Sequence, residues 1–317
     1  MHTSATRLPW ALDALNHLEL AVRKLGLRAI DLDPERLIAK ARKQSAHTHY
    51  FDDYDFETPL RVLLDAYERE ADLSLLGRVA VRTSTLLSLT SQLEIQSEYE
   101  LHPEILDVPI ERPVFILGFP RTGTTLLHNL LAQGLGARSP KLWELERPAP
   151  AIGPDTPAAD PRRGKSANAL TQTYRLVPHL KAVHAFDAEM PEECVVLFRK
   201  IFSCGSYAID AHVPSHLDWF LKTDRLPIYR QLKKMLQLLM WKYPGHYPVL
   251  KSPLHLYSID ALLEVFPDAR IIQTHRDPHT VAGSGCSLAE VLRTLYSMRP
   301  DPHMIGSDWV GGWGAAM

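Results

Sequence analysis

The stretch that most restricts the fold is Pro113 to Leu131, PVFILGFPRTGTTLLHNLL. Val114, Phe115, Ile116 and Leu117 form a short unbroken apolar run behind Pro113, the pattern of a fully buried strand in a parallel sheet. Gly118, Phe119, Pro120, Arg121, Thr122 and Gly123 then make a tight loop, and Thr124, Thr125, Leu126, Leu127, Leu130 and Leu131 carry helical spacing with an apolar face toward the strand. A strand, a glycine loop and a helix in this order gather unpaired backbone N–H groups and the positive helix end around one small volume, where a phosphate or sulfate can sit.

The loop approaches the Walker A pattern GxxxxGK[ST] in the separation of Gly118 and Gly123, but Thr124 occupies the lysine position and the cation, Arg121, lies inside the loop. A second informative stretch runs from Tyr247 to Leu288. Val249 and Leu250 read as a short strand ending in Lys251, Ser252 and Pro253, and Ser258 to Phe266 as a helix stopped by Pro267. Ala269 to Thr274 reads as another buried strand, followed by His275, Arg276, Asp277, Pro278 and a helix from about Thr280. In such β-α-β-α sheets ligands sit beyond the carboxyl ends of the strands, so the glycine loop, Lys251 with Ser252, and Arg276 are expected on one edge.

GFPRTGTT resembles the 5′-phosphosulfate loop of the sulfotransferases that use 3′-phosphoadenosine 5′-phosphosulfate (PAPS). HRDPHTVAGS is similar to their 3′-phosphate motif, an arginine at a strand end with a serine eight positions later, here Arg276 and Ser284. KSPLHLYSIDALLEVFPDARIIQTHRDP looks like the bacterial branch of that family, and the resemblance covers residues 30 to 300. It implies a P-loop-like α/β core over residues 111–317, a parallel sheet flanked by helices, with an N-terminal helical addition over residues 1–110. It also implies that Arg121, Thr122, Gly123, Thr124 and Thr125 hold the 5′-phosphosulfate, that Arg276 and Ser284 hold the 3′-phosphate, and that Lys251 faces the transferring sulfuryl group or the bridging oxygen.

Sulfuryl transfer to a small or lipid-like hydroxyl acceptor, leaving adenosine 3′,5′-bisphosphate (PAP), then needs cations on the leaving oxygens and a general base, and no metal. Cytosolic relatives place a histidine two residues after the lysine, where this chain has Pro253. Glu144, about twenty residues beyond the loop, resembles in position the glutamate base of tyrosyl-protein and some bacterial sulfotransferases; His255 ranks second, with helix capping as its other reading. Glu192 and Glu193 read as electrostatic partners of a helix start, and His184 has no assigned role. Family members normally continue into a basic, glycine-containing segment over the 3′-phosphate, whereas this chain stops at SDWVGGWGAAM. Two other readings stay open, a P-loop kinase or nucleotidase and an inactive, truncated nucleotide-binding relative.

Charge excludes some partners. Thirty-five Lys plus Arg against 37 Asp plus Glu give a formal net charge of -2, so no global field recruits nucleic acid or anionic membrane. Cys194, Cys204 and Cys286 have neither CxxC nor metal spacing, as expected in a reducing compartment. Arg7, Asp13, Glu19 and Arg23 interrupt the N-terminal stretch, so neither a signal-peptide core nor a membrane span is expected there, and the reading is cytoplasmic, with homo-oligomerisation open.

Helical periodicity fills residues 10–26, 34–44 and 59–96, and resumes at Ala167 to Leu180, Pro191 to Phe202 and Arg225 to Trp241. Asp33 with Pro34 suits a helix N-terminus. His47, His49, Tyr50, Asp52, Asp53 and Asp55 lack recurrent ligand spacing and read as a solvated loop. A proline-rich segment at about 147–166 reads as irregular chain, either a mobile substrate lid or a linker.

Overall fold

The computed structural model describes residues 30–149, 157–176, 180–183 and 185–314, so the helix expected over residues 10–26, residues 150–156 of the proline-rich segment, and His184 lie outside the described residues. The fold is α/β. Among the described residues a parallel sheet has the order β2–β3–β1–β4, with β1 (Val114–Leu117), β2 (Ala137–Arg138), β3 (Tyr247–Lys251) and β4 (Arg270–Gln273). Among the described residues three α-helices precede it: α1 (Pro34–Gln44), α2 (Glu57–Arg69) and α3 (Leu75–Leu101). Between β1 and β3 come α4 (Thr124–Leu131), β2, α5 (Leu142–Glu146), α6 (Pro161–Leu176), α7 (Leu180–Val183), α8 (Val195–Lys200), α9 (Tyr207–Asp210), α10 (Pro214–Lys222) and α11 (Leu226–Lys242). After β3 follow α12 (Ile259–Val265), β4, α13 (Pro278–Tyr296) and α14 (Pro302–Gly314).

β1 sits at the centre because its run of apolar side chains can be covered on both faces. Phe115, Ile116 and Leu117 are buried, with Ile116 opposite Lys251 on one side and Ile272 on the other. β4 departs from the reading as a buried strand: it is the edge of this sheet, and Ile271 is 38% exposed. A short apolar run has the same appearance at the centre or edge of a sheet, because strand order is set by crossovers and not by the run itself.

Asp33 accepts the Arg36 N–H at 2.9 Å and Pro34 opens α1, as the sequence predicts. The periodic stretch beyond Pro59 is two helices, broken where Asp72 takes φ +43° and Leu73 bridges to Ser297. Leu60, Leu64, Leu89 and Leu93 from these helices share one apolar core with Phe115 and Leu250 of the sheet. α3 crosses the end of α13 at Gly77, where an added Cβ would lie 2.0 Å from the Tyr296 carbonyl oxygen. Gly77→Ala is therefore expected to destabilise the fold by about 3 kcal/mol, since the obstacle is rigid backbone. A thermal melt checks this, and an unchanged Tm would mean that α3 and α13 separate there at no cost.

Two helix boundaries fall elsewhere than the periodicity suggests. α6 begins at Pro161, inside the segment read as irregular, because Arg162 is pinned there by Asp160 at 2.7 Å and by the carbonyls of Arg147 and Pro148 at 2.7 and 2.9 Å. The helix expected from Pro191 starts only at Val195. Pro191 is drawn instead into a bridge with Lys141, so Glu192 and Glu193 lie in the chain ahead of α8 and not in its first turn.

Candidate active site

The loop between β1 and α4 closes over a cradle of amides. Leu127 N–H bonds the Gly123 carbonyl, the first bond of α4, so the amides of Thr124, Thr125 and Leu126 precede the first helical acceptor and face the loop. Gly118 and Gly123 adopt φ +145° and +91°. At Gly118 a Cβ would also meet the Thr274 side chain at 2.3 Å, which brings the loop close against the end of β4. Arg121 takes φ +74°, a left-handed conformation that costs a non-glycine residue about 1 kcal/mol.

Partners just beyond the end of β4 and on α13 hold Arg121 in that conformation. Arg276 donates from Nη1 to the Arg121 carbonyl at 3.0 Å, and Arg121 donates from Nε to Ser284 Oγ at 2.9 Å. Thr122 Oγ1 lies 2.6 Å from Thr274 Oγ1, tying the loop to the strand end. Asp277 is the N-cap of α13: it accepts the Thr280 N–H at 2.9 Å, and that bond lowers its pKa. With Pro278 at the first helical position, the cap fixes where Arg276 and Ser284 stand relative to each other.

Lys251 ends β3 beside the start of α4. It is 1% exposed, with Nζ 3.4 Å from Thr125 Oγ1 and 2.5 Å from Glu193 Oε1. Cys194 N–H bonds the Lys251 carbonyl at 3.2 Å, so the backbone next to Glu193 is pinned to the backbone that carries Lys251. Arg121, Thr124, Thr125, Glu192 and Glu193 open onto a cavity of about 360 Å³ whose other walls are largely apolar, among them Leu180, Phe186, Val195, Leu288, Leu292 and Leu295.

The two carboxylate and imidazole candidates of the sequence stand outside this cavity. Glu144 is 2% exposed, receives the Arg138 guanidinium on both oxygens, and accepts the Lys141 N–H at 2.8 Å, which closes the first turn of α5. His255 is fully buried between the Tyr229 hydroxyl, 2.7 Å from Nδ1, and Cys194 Sγ, 3.2 Å from Nε2. Burial pushes its pKa down to about 3, so the ring is neutral. His128, on the buried face of α4, has its pKa held down at about 4 by burial and by the Lys251 charge.

Glu193 is the residue that sequence reasoning passed over. Two carboxylates just ahead of an apolar helical run look like partners of the helix dipole, and no local pattern marks the side chain as one that reaches Lys251, 58 positions away. Of the histidines and aspartates of residues 47–55, His49, Asp52, Asp53 and Asp55 are exposed, as expected of a solvated loop; Asp53 receives Gln231 at 2.7 Å and Lys234 at 3.0 Å, and Asp55 accepts from Thr58. Among the described residues no group of three or more His, Cys, Asp or Glu is placed to hold a metal ion.

The sequence model of the Sulfotransferase family matches residues 113–317. Among curated proteins, the omega-hydroxy-beta-dihydromenaquinone-9 sulfotransferases Stf3 of Mycobacterium bovis and Mycobacterium tuberculosis are each 27% identical over 202 residues, 59% of this chain and 47% of theirs. The chain thus spans about half the length of these relatives. Two solved structures are similar over most of the chain. Sulfotransferase STF1 from Mycobacterium tuberculosis H37Rv aligns with a TM-score of 0.82 and 35% identity over 89% of this chain and 78% of that one. Sulfotransferase STF9 from Mycobacterium avium aligns with a TM-score of 0.75 and 29% identity over 83% of this chain and 68% of that one.

Proposed function

Because the chain belongs to the sulfotransferase family, we propose that it moves a sulfuryl group from PAPS to a hydroxyl of an apolar acceptor. The observation that carries this reading is that two basic side chains are brought to one apolar cavity: Arg121, tied to Arg276 and Ser284, lines it, and Lys251 is paired with Glu193, which lines it as well. The residues fit the donor. The amides of Thr124 and Thr125 and the Arg121 side chain suit the 5′-phosphosulfate, and Arg276 with Ser284 offers a guanidinium and a hydroxyl to the 3′-phosphate.

PAPS, when bound, would supply an activated sulfur that a hydroxyl oxygen can attack in line, with the 5′-phosphate oxygen of PAP as the leaving group. Lys251 neutralises the charge that grows on the leaving phosphate oxygen, a role in which a preorganised cation in a closed site is worth far more than in water. Turning toward that oxygen would release Lys251 from Glu193, and the freed carboxylate would take the proton of the attacking hydroxyl. Glu144 and His255 are left with supporting roles in this reading, because both are committed to partners away from the cavity. The apolar wall of Leu288, Leu292 and Leu295 supports an apolar acceptor, as does the ω-hydroxylated dihydromenaquinone in the names of the curated relatives.

Isothermal titration with PAP, against adenosine 5′-phosphate, tests the donor site. The bisphosphate is expected to bind more tightly than the monophosphate, and Arg276→Ala to weaken it at least about tenfold, the loss expected for one charge-assisted phosphate contact. Equal affinity for the two nucleotides would remove the basis for a PAPS site.

A further inference from the structure

The apolar cavity contains an ion pair that sulfuryl transfer does not use. Arg199 on α8 and Asp210 at the end of α9 form an ion pair at 2.6 Å, and both line the cavity. The Arg199 side chain is 30% open although it belongs to the interior, because it also lines a second cavity of about 140 Å³ behind it, with Val196 in the shared wall. Its guanidinium is fixed: Nε donates to Ser206 Oγ at 3.0 Å, and the Tyr207 ring lies 4.9 Å beneath. Asp210 meets Arg199 through Oδ2, and among the described residues nothing donates to Oδ1. A carboxylate oxygen left open toward an apolar cavity is costly unless something in the cavity donates to it.

We propose that the Arg199–Asp210 pair is a second recognition point in the acceptor cavity and holds a neutral hydroxyl of the acceptor, remote from the one that is sulfated. The pair carries no net charge, so a charged group gains less from it than from a lone arginine or aspartate, whereas a neutral hydroxyl can use both ends. A hydroxyl can donate to Oδ1 of Asp210 and accept from the neighbouring guanidinium, which a purely apolar chain end cannot do. The preferred acceptor is then an apolar molecule with two separated hydroxyls. This inference rests on the sulfotransferase reading above.

The test compares α,ω-alkanediols, from hexanediol to hexadecanediol, with the matched primary alkanols as acceptors, PAPS being the donor and PAP release the readout. At the chain length that spans the two points, the diol is expected to exceed its alkanol in kcat/KM by about tenfold, beyond the factor of two given by its two ends. The double variant Arg199→Met with Asp210→Leu removes both charges together and leaves neither buried alone. It is expected to abolish the diol preference while alkanol turnover changes less than about threefold. Alkanols and diols turned over equally well at every length would overturn the second recognition point and leave the sulfotransferase reading standing. No turnover of any alcohol would overturn the apolar-hydroxyl acceptor, and this inference with it.

Discussion

Glu193→Gln should lower kcat about a thousandfold while leaving PAP affinity within about threefold of the unaltered protein, the signature of a lost proton acceptor that does not bind the nucleotide. The side chain keeps its size and one oxygen near Lys251 Nζ, so the fold should survive the change. Lys251→Met is expected to cost about a hundredfold or more in kcat, the usual effect of removing one preorganised group from a developing charge. It also leaves Glu193 without its cation, so a melting curve should accompany the kinetics. Steady-state rates with a fixed alkanol and PAPS, together with PAP titrations, separate the two effects. If Glu144→Gln lost kcat as severely as Glu193→Gln with its Tm unchanged, the assignment of the base to Glu193 would be wrong. The ties of Glu144 to Arg138 and Lys141 predict instead that its replacement lowers Tm.

Mild acid should unfold the protein. His128, His216 and His255 are all essentially buried, and burial pushes their pKa values down to about 4, 4 and 3. The unfolded chain takes up these protons near pH 6.5, whereas the folded chain stays neutral until about pH 4. Their contribution to stability is therefore complete above pH 6.5 and drains away as the pH falls through that window. By about pH 5 each ring costs about 2 kcal/mol, and the three together approach the whole stability of an ordinary domain. Denaturant melts between pH 7.5 and 4.5 should show stability falling steeply below pH 6.5. His128→Gln, which can still donate to the Val249 carbonyl, should make the fall shallower. A stability flat down to pH 5 would mean that these rings protonate in the folded state, through water entry or local opening.

The amino-acid sequence by itself determined the features whose chemistry is local. The apolar run Val114 to Leu117, the two glycines with φ of +145° and +91°, and the first turn of α4 bring unpaired amides to one helix start, because backbone geometry is a property of adjacent residues. The same holds for Asp277 and Pro278, which start a helix and so fix Arg276 and Ser284 eight positions apart. Tertiary structure decided which ionisable side chains have which partners. Glu144 and Glu193 are both carboxylates close to a helix start, and nothing in their neighbours separates them. One is enclosed by Arg138, and the other pairs directly with Lys251 at the wall of a cavity, in the stretch between the Pro191–Lys141 bridge and α8. His255 likewise stands four residues from Lys251 in the chain, yet it packs between Tyr229 and Cys194 on the core side of the strand end. A charge or a ring nitrogen takes its role from the groups that reach it through space, and those groups come from positions tens to hundreds of residues away that only the closed fold brings together.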